Sequence, residues 1–335
     1  MKKLIFGVDI GGINSAFGLV DTNGDIFAEG VVSTRAYPSF EDYSSYVKDL
    51  AIAMKGAAQT LDFEAEIVGI GIGAPNANFY MGTIEQPANL WKYSSAGGDE
   101  SKRIFHLCRD LGAYFPEIEN IHMTNDANAA TIGEMIFGNA RGLKDFAMVT
   151  LGTGLGSGFV AGGELIYGHD GFAGEMGHMT VIPGGRECGC GKKGCLECYV
   201  SATGIKRTAF EMMATYRGDS PLRQIPFSEF DSAMISRAAN DGDPLALEIF
   251  RYTGEILGAA IANIATITSP EAVIIFGGLA KAGELIFAPT RKYMEENLFP
   301  AYKGKIRLLP SGIQDRNIAI IGAASLIMKD SNSRL

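Results

Sequence analysis

The chain writes one short pattern twice. Leu4–Asp9, Ala16–Val20 and Asp25–Ser33 read as strands separated by Gly11-Gly12 and by Asn23-Gly24, a dipeptide suited to a tight hairpin because both residues tolerate positive φ. The same plan returns at Phe146–Leu151, Gly152-Thr153-Gly154 and Gly156–Val160, with Gly162-Gly163 preceding Leu165-Ile166. Two glycine-turn meanders, one per half, predict an internal duplication with two related lobes facing each other. The length of 335 residues agrees, since it exceeds the size at which one core stops growing. A junction between two lobes is also a natural ligand site.

Helical spacing fills the intervals. Phe40, Tyr43, Val47, Leu50, Ala51, Met54, Ala58 and Leu61 share one face, and Ile67–Ala74 resumes as a strand ending at Pro75, so a helical crossover joins two strands. Ile121–Met123 is a short strand from which a helix opens at Thr124-Asn125-Asp126. Leu245, Ile249, Tyr252, Ile256 and Ala259 mark a helix that ends before Ser269-Pro270. Val273–Phe276 is a strand followed by Gly277-Gly278, with helix from Leu279 onward, and Ile318–Met328 is a small-residue helix.

Composition narrows the function classes. A formal charge of −9, a pI of about 5.1 and the lack of a Lys/Arg-rich block argue against a nucleic-acid surface. The N-terminus reaches Asp9 before an apolar signal region forms, and the apolar stretch Ile256–Thr268 is broken by Asn263 and too short to span a bilayer. A soluble, cytoplasmic protein is expected.

His178 is followed by Cys188, Cys190 and Cys195, three thiols within eight residues, with Gly189, Gly191 and Gly194 between them. Glycine lets so short a loop fold back until its sulfurs converge. Four nitrogen and sulfur donors suit a tetrahedral zinc ion and leave no open position, so the metal is read as structural. Disulfides are the competing reading, which a reducing compartment disfavours. Cys198 is left as a spare thiol.

Several residues admit two readings. Asp9-Ile10-Gly11-Gly12 is either a plain hairpin turn or a bare backbone cradle for phosphate, with the carboxylate holding Mg²⁺, often through water. Gly152-Thr153-Gly154 and Gly277-Gly278 favour the second, because three such turns can line one nucleotide. Gly152-x-Gly154-x-Gly156-x-Gly158 has the wrong spacing for a dinucleotide fingerprint, and no P-loop is present. Asn125-Asp126 is a helix N-cap, a general base, or both, with Asn125 orienting the same hydroxyls. Glu175 and Glu197 flank the cysteine loop as solvated carboxylates or as acceptors for a polyhydroxylated ligand.

In order, Asp9-Ile10-Gly11-Gly12, Thr124-Asn125-Asp126-Ala127-Asn128, Leu151-Gly152-Thr153-Gly154-Leu155-Gly156, Gly174-Glu175-Met176-Gly177-His178 and Cys188-Gly189-Cys190-Gly191-x-x-Gly194-Cys195-Leu196-Glu197 resemble the ROK family (repressors, open reading frames, kinases), and within it the glucokinase-like sugar kinases. The resemblance covers essentially the whole chain. It implies an α/β, two-lobed actin/hexokinase-type (ribonuclease H-like) fold with a ligand cleft. The small lobe would be residues 1–122 plus 317–335, and the large lobe residues 123–316. ATP with Mg²⁺ would phosphorylate a hexose, most simply glucose at its 6-hydroxyl, in a homodimer.

By position, the resemblance makes Asp126 the base and Asn125, Glu175, His178 and Glu197 sugar ligands. Asn89, in Pro87-Ala88-Asn89-Leu90-Trp91, matches the family's Pro-Asn-Leu contact with one residue inserted. Asp9, Gly11, Gly12, Asn14, Gly152, Thr153, Gly154, Gly156, Gly277 and Gly278 become the ATP and Mg²⁺ site. One departure stands out: the family's threonine after Asp-x-Gly-Gly is Ile13 here, leaving backbone N–H groups and Asn14 or Ser15. That opens the alternative of a catalytically impaired sugar-binding or regulatory protein. N-acetylmannosamine, N-acetylglucosamine, mannose and fructose remain as other sugars. The phosphate turn begins too early for a preceding winged-helix domain, so a repressor is not expected.

Overall fold

The repeated meander folds into two five-stranded sheets of the same strand order. The computed structural model describes residues 1–335 apart from residues 88–89, 94–98, 100–102, 314–316 and 333–335, and apart from the side chains of residues 330–332. Along the chain come β1 (Lys2–Ile10), β2 (Ser15–Val20), β3 (Ile26–Val32), α1 (Tyr43–Gln59), β4 (Ala65–Gly73), β5 (Ala77–Asn78), β6 (Thr83–Glu85), β7 (Ile104–Phe105), α2 (Leu107–Gly112), β8 (Ile121–Thr124) and α3 (Asp126–Phe137). Then follow β9 (Phe146–Leu151), β10 (Leu155–Ala161), β11 (Glu164–Leu165), α4 (Ala202–Thr215), α5 (Ser232–Asn240), α6 (Pro244–Thr268), β12 (Ala272–Phe276), α7 (Glu284–Asn297), β13 (Arg307–Pro310) and α8 (Ile318–Asn332).

One sheet runs β3-β2-β1-β4-β8 and the other β11-β10-β9-β12-β13. In each, the hairpin strands pair antiparallel with the central strand (β1 with β2, β9 with β10), and the later strands add in parallel. Two compact units result: Met1–Arg141 with Leu165–Ala173 and Gly312–Leu335, and Gly142–Glu164 with Gly174–Ser311. The first unit thus extends past the boundary expected before Met123, because α3 packs on β4 and α8.

In the first unit, side chains alternate along β1. Leu4, Phe6, Val8 and Ile10 join Tyr46, Val47, Leu50 and Met54 of α1 in one buried cluster. The intervening residues face the other way. There Gly7 of β1 and Gly71 of β4 lie so close to α8 that a Cβ on either would overlap the backbone carbonyl of Ile320 or Ala323. The helix backbone therefore rests directly on the sheet, which is why its sequence is rich in small residues. At the carboxyl ends of the three parallel strands, Asp9 stands opposite Gly73 and Gly73 opposite Thr124.

In the second unit, Phe276 of β12 pairs with Thr150 of β9, so the glycine turns after these strands leave the same edge. The 25-residue α6 begins at Asp243, whose carboxylate accepts from the Ala246 N–H, with Pro244 as first helical residue. The helix expected from Leu279 splits: a 3-10 turn over Leu279–Ala282 stops at Gly283, where φ is 60°, and α7 starts at Glu284. No helix among the described residues is long and apolar enough to cross a membrane.

Candidate active site and metal centre

In the first unit the turn after β1 is closed by Gly11 N donating to Asn14 O at 3.0 Å and tied down by Arg35 N donating to Ile13 O at 3.0 Å. Gly12, Ile13 and Asn14 are exposed, Ile13 by 64%. Ser15 does not supply the missing hydroxyl. It is buried, with Oγ 2.7 Å from Thr34 Oγ1 and 2.7 Å from Tyr46 OH, and so serves the packing of the strand. Asn14 is the side-chain donor that the turn retains.

Asp9 and Asp126 approach each other over a glycine. A Cβ on Gly73 would lie 3.6 Å from Asp126 Cα and 3.9 Å from Asp9 Oδ1. Burial, reinforced by the charge of Asp126, pushes the Asp9 carboxyl up to about 7. Beyond β8, Asn125 takes the N-cap role, its Oδ1 accepting from Ala127 N at 2.9 Å. Asp126 is the first helical residue, and its Oδ1 accepts from the same N–H at 2.8 Å.

Desolvation by surrounding protein raises Asp126 above the usual carboxylate range, against the pull of backbone N–H groups. The residue is nonetheless exposed to solvent. An accessible carboxylate of raised proton affinity at a helix start is suited to general-base work. The capping duty, which one residue was expected to share with catalysis, falls mainly on Asn125.

In the second unit the four metal-ligand candidates converge. Donor atoms of His178, Cys188, Cys190 and Cys195 all lie within 4.8 Å of one another. Cys188 Sγ is 3.7 Å from His178 Nδ1, and Cys190 Sγ is 3.7 Å from Cys195 Sγ. Ligands about 2.0–2.3 Å from a tetrahedral zinc stand about 3.3–3.8 Å apart, so the set fits that ion. Cys198 stays outside it, its Sγ directed to Glu187 O at 3.5 Å.

His178 was expected in two roles, and its two nitrogens divide them. Nδ1 faces the thiols, while Nε2 lies 3.9 Å from Glu175 Oε2. Glu197 links the knuckle to the glycine turn: Oε2 accepts from Leu155 N at 2.9 Å, and Oε1 is 3.9 Å from Cys188 Sγ. Gly154 makes room for that carboxylate, since a Cβ there would overlap Glu197 Oε2.

The turn itself is braced by α4. Gly152 N donates to Gly154 O at 3.0 Å, Ala202 N to Gly152 O at 2.9 Å, and Thr203 Oγ1 to Thr153 O at 2.9 Å. Ser201 caps α4 by accepting from Gly204 N and also donates to Glu197 O. Sequence reading missed Ser201 and Thr203; a serine ahead of a helical run was the available signal. Gly277, at φ 107°, packs against the Leu151 carbonyl and sets the Gly277-Gly278 turn beside Gly152–Gly156. Asn89 lies outside the described residues.

The first unit thus groups Asp9, Gly11, Gly12, Asn14, Asn125 and Asp126, and the second groups the glycine turns, the metal ligands, Glu175 and Glu197. Against known proteins, the ROK family model matches residues 5–330. The glucokinase of Halalkalibacterium halodurans is 32% identical across 98% of this chain and 96% of its own length. That of Thermotoga maritima is also 32% identical, across 98% of both chains. A solved structure, a ROK family glucokinase from Streptomyces griseus in complex with glucose and AMPPNP, superposes with a TM-score of 0.77 at 32% identity, covering 96% of this chain and 98% of that one. The duplicated α/β architecture is that of actin/hexokinase-type sugar kinases.

Proposed function

Because the chain belongs to the ROK family, we propose that it is an ATP-dependent sugar kinase that phosphorylates glucose at its 6-hydroxyl. The observation that carries the reading is Asp126, an accessible carboxylate of raised proton affinity at the start of α3, beside Asp9. The glucokinases at 32% identity, one of them bound to glucose and AMPPNP, support both the sugar and the nucleotide.

Phosphoryl transfer asks the protein mainly to position its reactants and neutralise charge. Asp126 accepts the proton of the attacking hydroxyl. Asn125, whose Oδ1 is engaged by Ala127 N, has its Nδ2 to donate to a sugar hydroxyl. Glu175, Glu197 and His178 Nε2 complete the hydroxyl partners, with Asn89 added by the family pattern. Backbone N–H groups of Gly11, Gly12 and Gly152–Gly156, with Thr153, Asn14 and Gly277-Gly278, hold the phosphates. Asp9 would hold Mg²⁺, which neutralises phosphate charge when bound. Zinc on His178, Cys188, Cys190 and Cys195 would fix the loop carrying Glu175 and Glu197. The family pattern further supports a cytoplasmic homodimer.

ADP release measured over glucose, mannose, N-acetylmannosamine, N-acetylglucosamine and fructose tests the reading. The highest kcat/KM is expected for glucose, and no release with any hexose would overturn it. Ile13 favours one rival, a sugar-sensing protein with lost turnover. On the kinase reading, Ile13→Thr lowers the KM for ATP or raises kcat and leaves sugar affinity unchanged; harm to both substrates would show a turn rebuilt around isoleucine.

A further inference from the structure

The turn after β1 is tied to a second piece of chain that carries a cation. Arg35 lies in a 3-10 turn, Thr34–Ala36, just beyond β3, and its backbone N–H is the group that donates to Ile13 O. That bond sets the root of the Arg35 side chain beside the residue where the family's hydroxyl is missing. Arg35 is exposed, and among the described residues no hydrogen bond or ion pair occupies its guanidinium.

The backbone that carries this cation is firmly held. Thr34 is buried, with Oγ1 2.7 Å from Ser15 Oγ, and Ser15 Oγ lies 2.7 Å from Tyr46 OH of α1. Tyr37 N donates to Thr34 O at 3.0 Å and closes the 3-10 turn. Ser15 follows Asn14 directly, opens β2 and stands opposite Val32 of β3. One buried hydroxyl network therefore fixes both the strand that leaves the phosphate turn and the segment bearing Arg35.

An exposed guanidinium without a carboxylate partner, rooted beside glycine N–H groups, is suited to an anion. Its planar fork of N–H donors matches phosphate oxygens, and its apolar stem can lie along the exposed Ile13 side chain. We propose that Arg35 contacts the terminal phosphates of ATP, supplying from beyond β3 the side-chain donor that Ile13 lacks. The inference rests on the kinase reading. Arg35 binds charge there, and the proton still passes to Asp126. On this account Ile13 does not mark an impaired site, because the donor comes from a neighbouring segment.

Arg35→Ala and Arg35→Lys test the contact, read by calorimetric affinity for ATP with Mg²⁺, ADP and AMP and by kinetics with glucose. The alanine variant loses charge-assisted hydrogen bonds, so the Kd and KM for ATP should rise about tenfold to a hundredfold. The Kd for ADP should rise less, and that for AMP not at all, because AMP lacks the terminal phosphates. Lysine, which keeps the charge without the fork, should recover part of the loss. Glucose KM and Tm should stay at wild-type values, since the side chain is exposed and the backbone donor to Ile13 O remains.

Unchanged affinity for ATP overturns the proposal, and so does an equal loss for ATP and AMP. Combined with Ile13→Thr, Arg35→Ala should cost less than it does alone, because a hydroxyl then shares the phosphate. An equal cost in both backgrounds would show that Arg35 does not stand in for position 13. The kinase reading fails separately. A wild type that binds ATP but releases no ADP with any hexose removes turnover, while calorimetry still decides the Arg35 contact; a wild type that binds no ATP overturns both.

Discussion

At the scale of single residues, the proposed function rests on two carboxylates, Asp126 as base and Asp9 beside it. Asp126→Asn keeps an oxygen for the Ala127 N–H and leaves the Asn125 cap in place, while removing the base. Turnover should fall at least about a hundredfold, the usual scale of general-base catalysis. Glucose affinity by calorimetry and Tm should stay close to wild type; near-normal turnover would reduce Asp126 to a helix residue. Asp9 makes a separate pH statement. Its folded pKa of about 7 stands above the ordinary value of 3.8, so the folded chain binds the proton more tightly than the unfolded chain between these limits. Its contribution to stability is therefore complete below about pH 4 and declines as pH rises to 7. Ligand-free protein should lose Tm across that window more steeply than Asp9→Asn does. Equal slopes in a thermal-shift series would refute the assignment. Both positions were legible in the sequence because Asp9 lies near the end of a strand and Asp126 at a strand-to-helix turn. The fate of Ser15 was not, since it is decided by Thr34 and Tyr46, far away along the chain.

At the scale of elements, the cysteine knuckle is the part whose removal should be felt most widely. Its four donors, the Glu197 contact with the Leu155 N–H and the adjoining cap at Ser201 form one connected piece of backbone. Protein purified without added zinc should contain about one zinc per chain, a site worth roughly 10–16 kcal/mol in small zinc peptides and less net in a domain of this size. Cys195→Ser should lower zinc content and Tm and raise the glucose KM through Glu197 and His178. A metal-free preparation with full activity and unchanged Tm would remove zinc from the account. The knuckle could be read in advance because its ligands are local and its glycines permit the bend. The division of His178 into a thiol-facing Nδ1 and a Glu175-facing Nε2 could not, because ring orientation depends on Cys188 and Glu175 together. Nor was the break at Gly283 visible, since only its positive φ distinguishes it from the helical residues around it.

At the scale of the whole molecule, the duplication was written in the paired meanders, whereas the return of residues 317–335 to the first lobe came only from the family resemblance. Nothing local in Ile318–Met328 announces that this helix must lie on β1 and β4. That follows only once Gly7 and Gly71 are seen to have cleared a bed for its backbone.

The return of α8 to β1 has a consequence for the order of manufacture. Ribosomes release a chain from its first residue to its last, and domains usually fold in that order. Here the opening strands lack their covering helix until residues 318–332 have been made, whereas most of the second unit is a continuous run, Gly174–Ser311. The later half should thus mature first and the earlier half wait for it. Pulse proteolysis of stalled nascent chains ending after Ser311 should find the Gly174–Ser311 region protected and Met1–Arg141 still open to cleavage. Protection of the N-terminal region in those chains would show that its sheet does not depend on α8, which is made after Ser311.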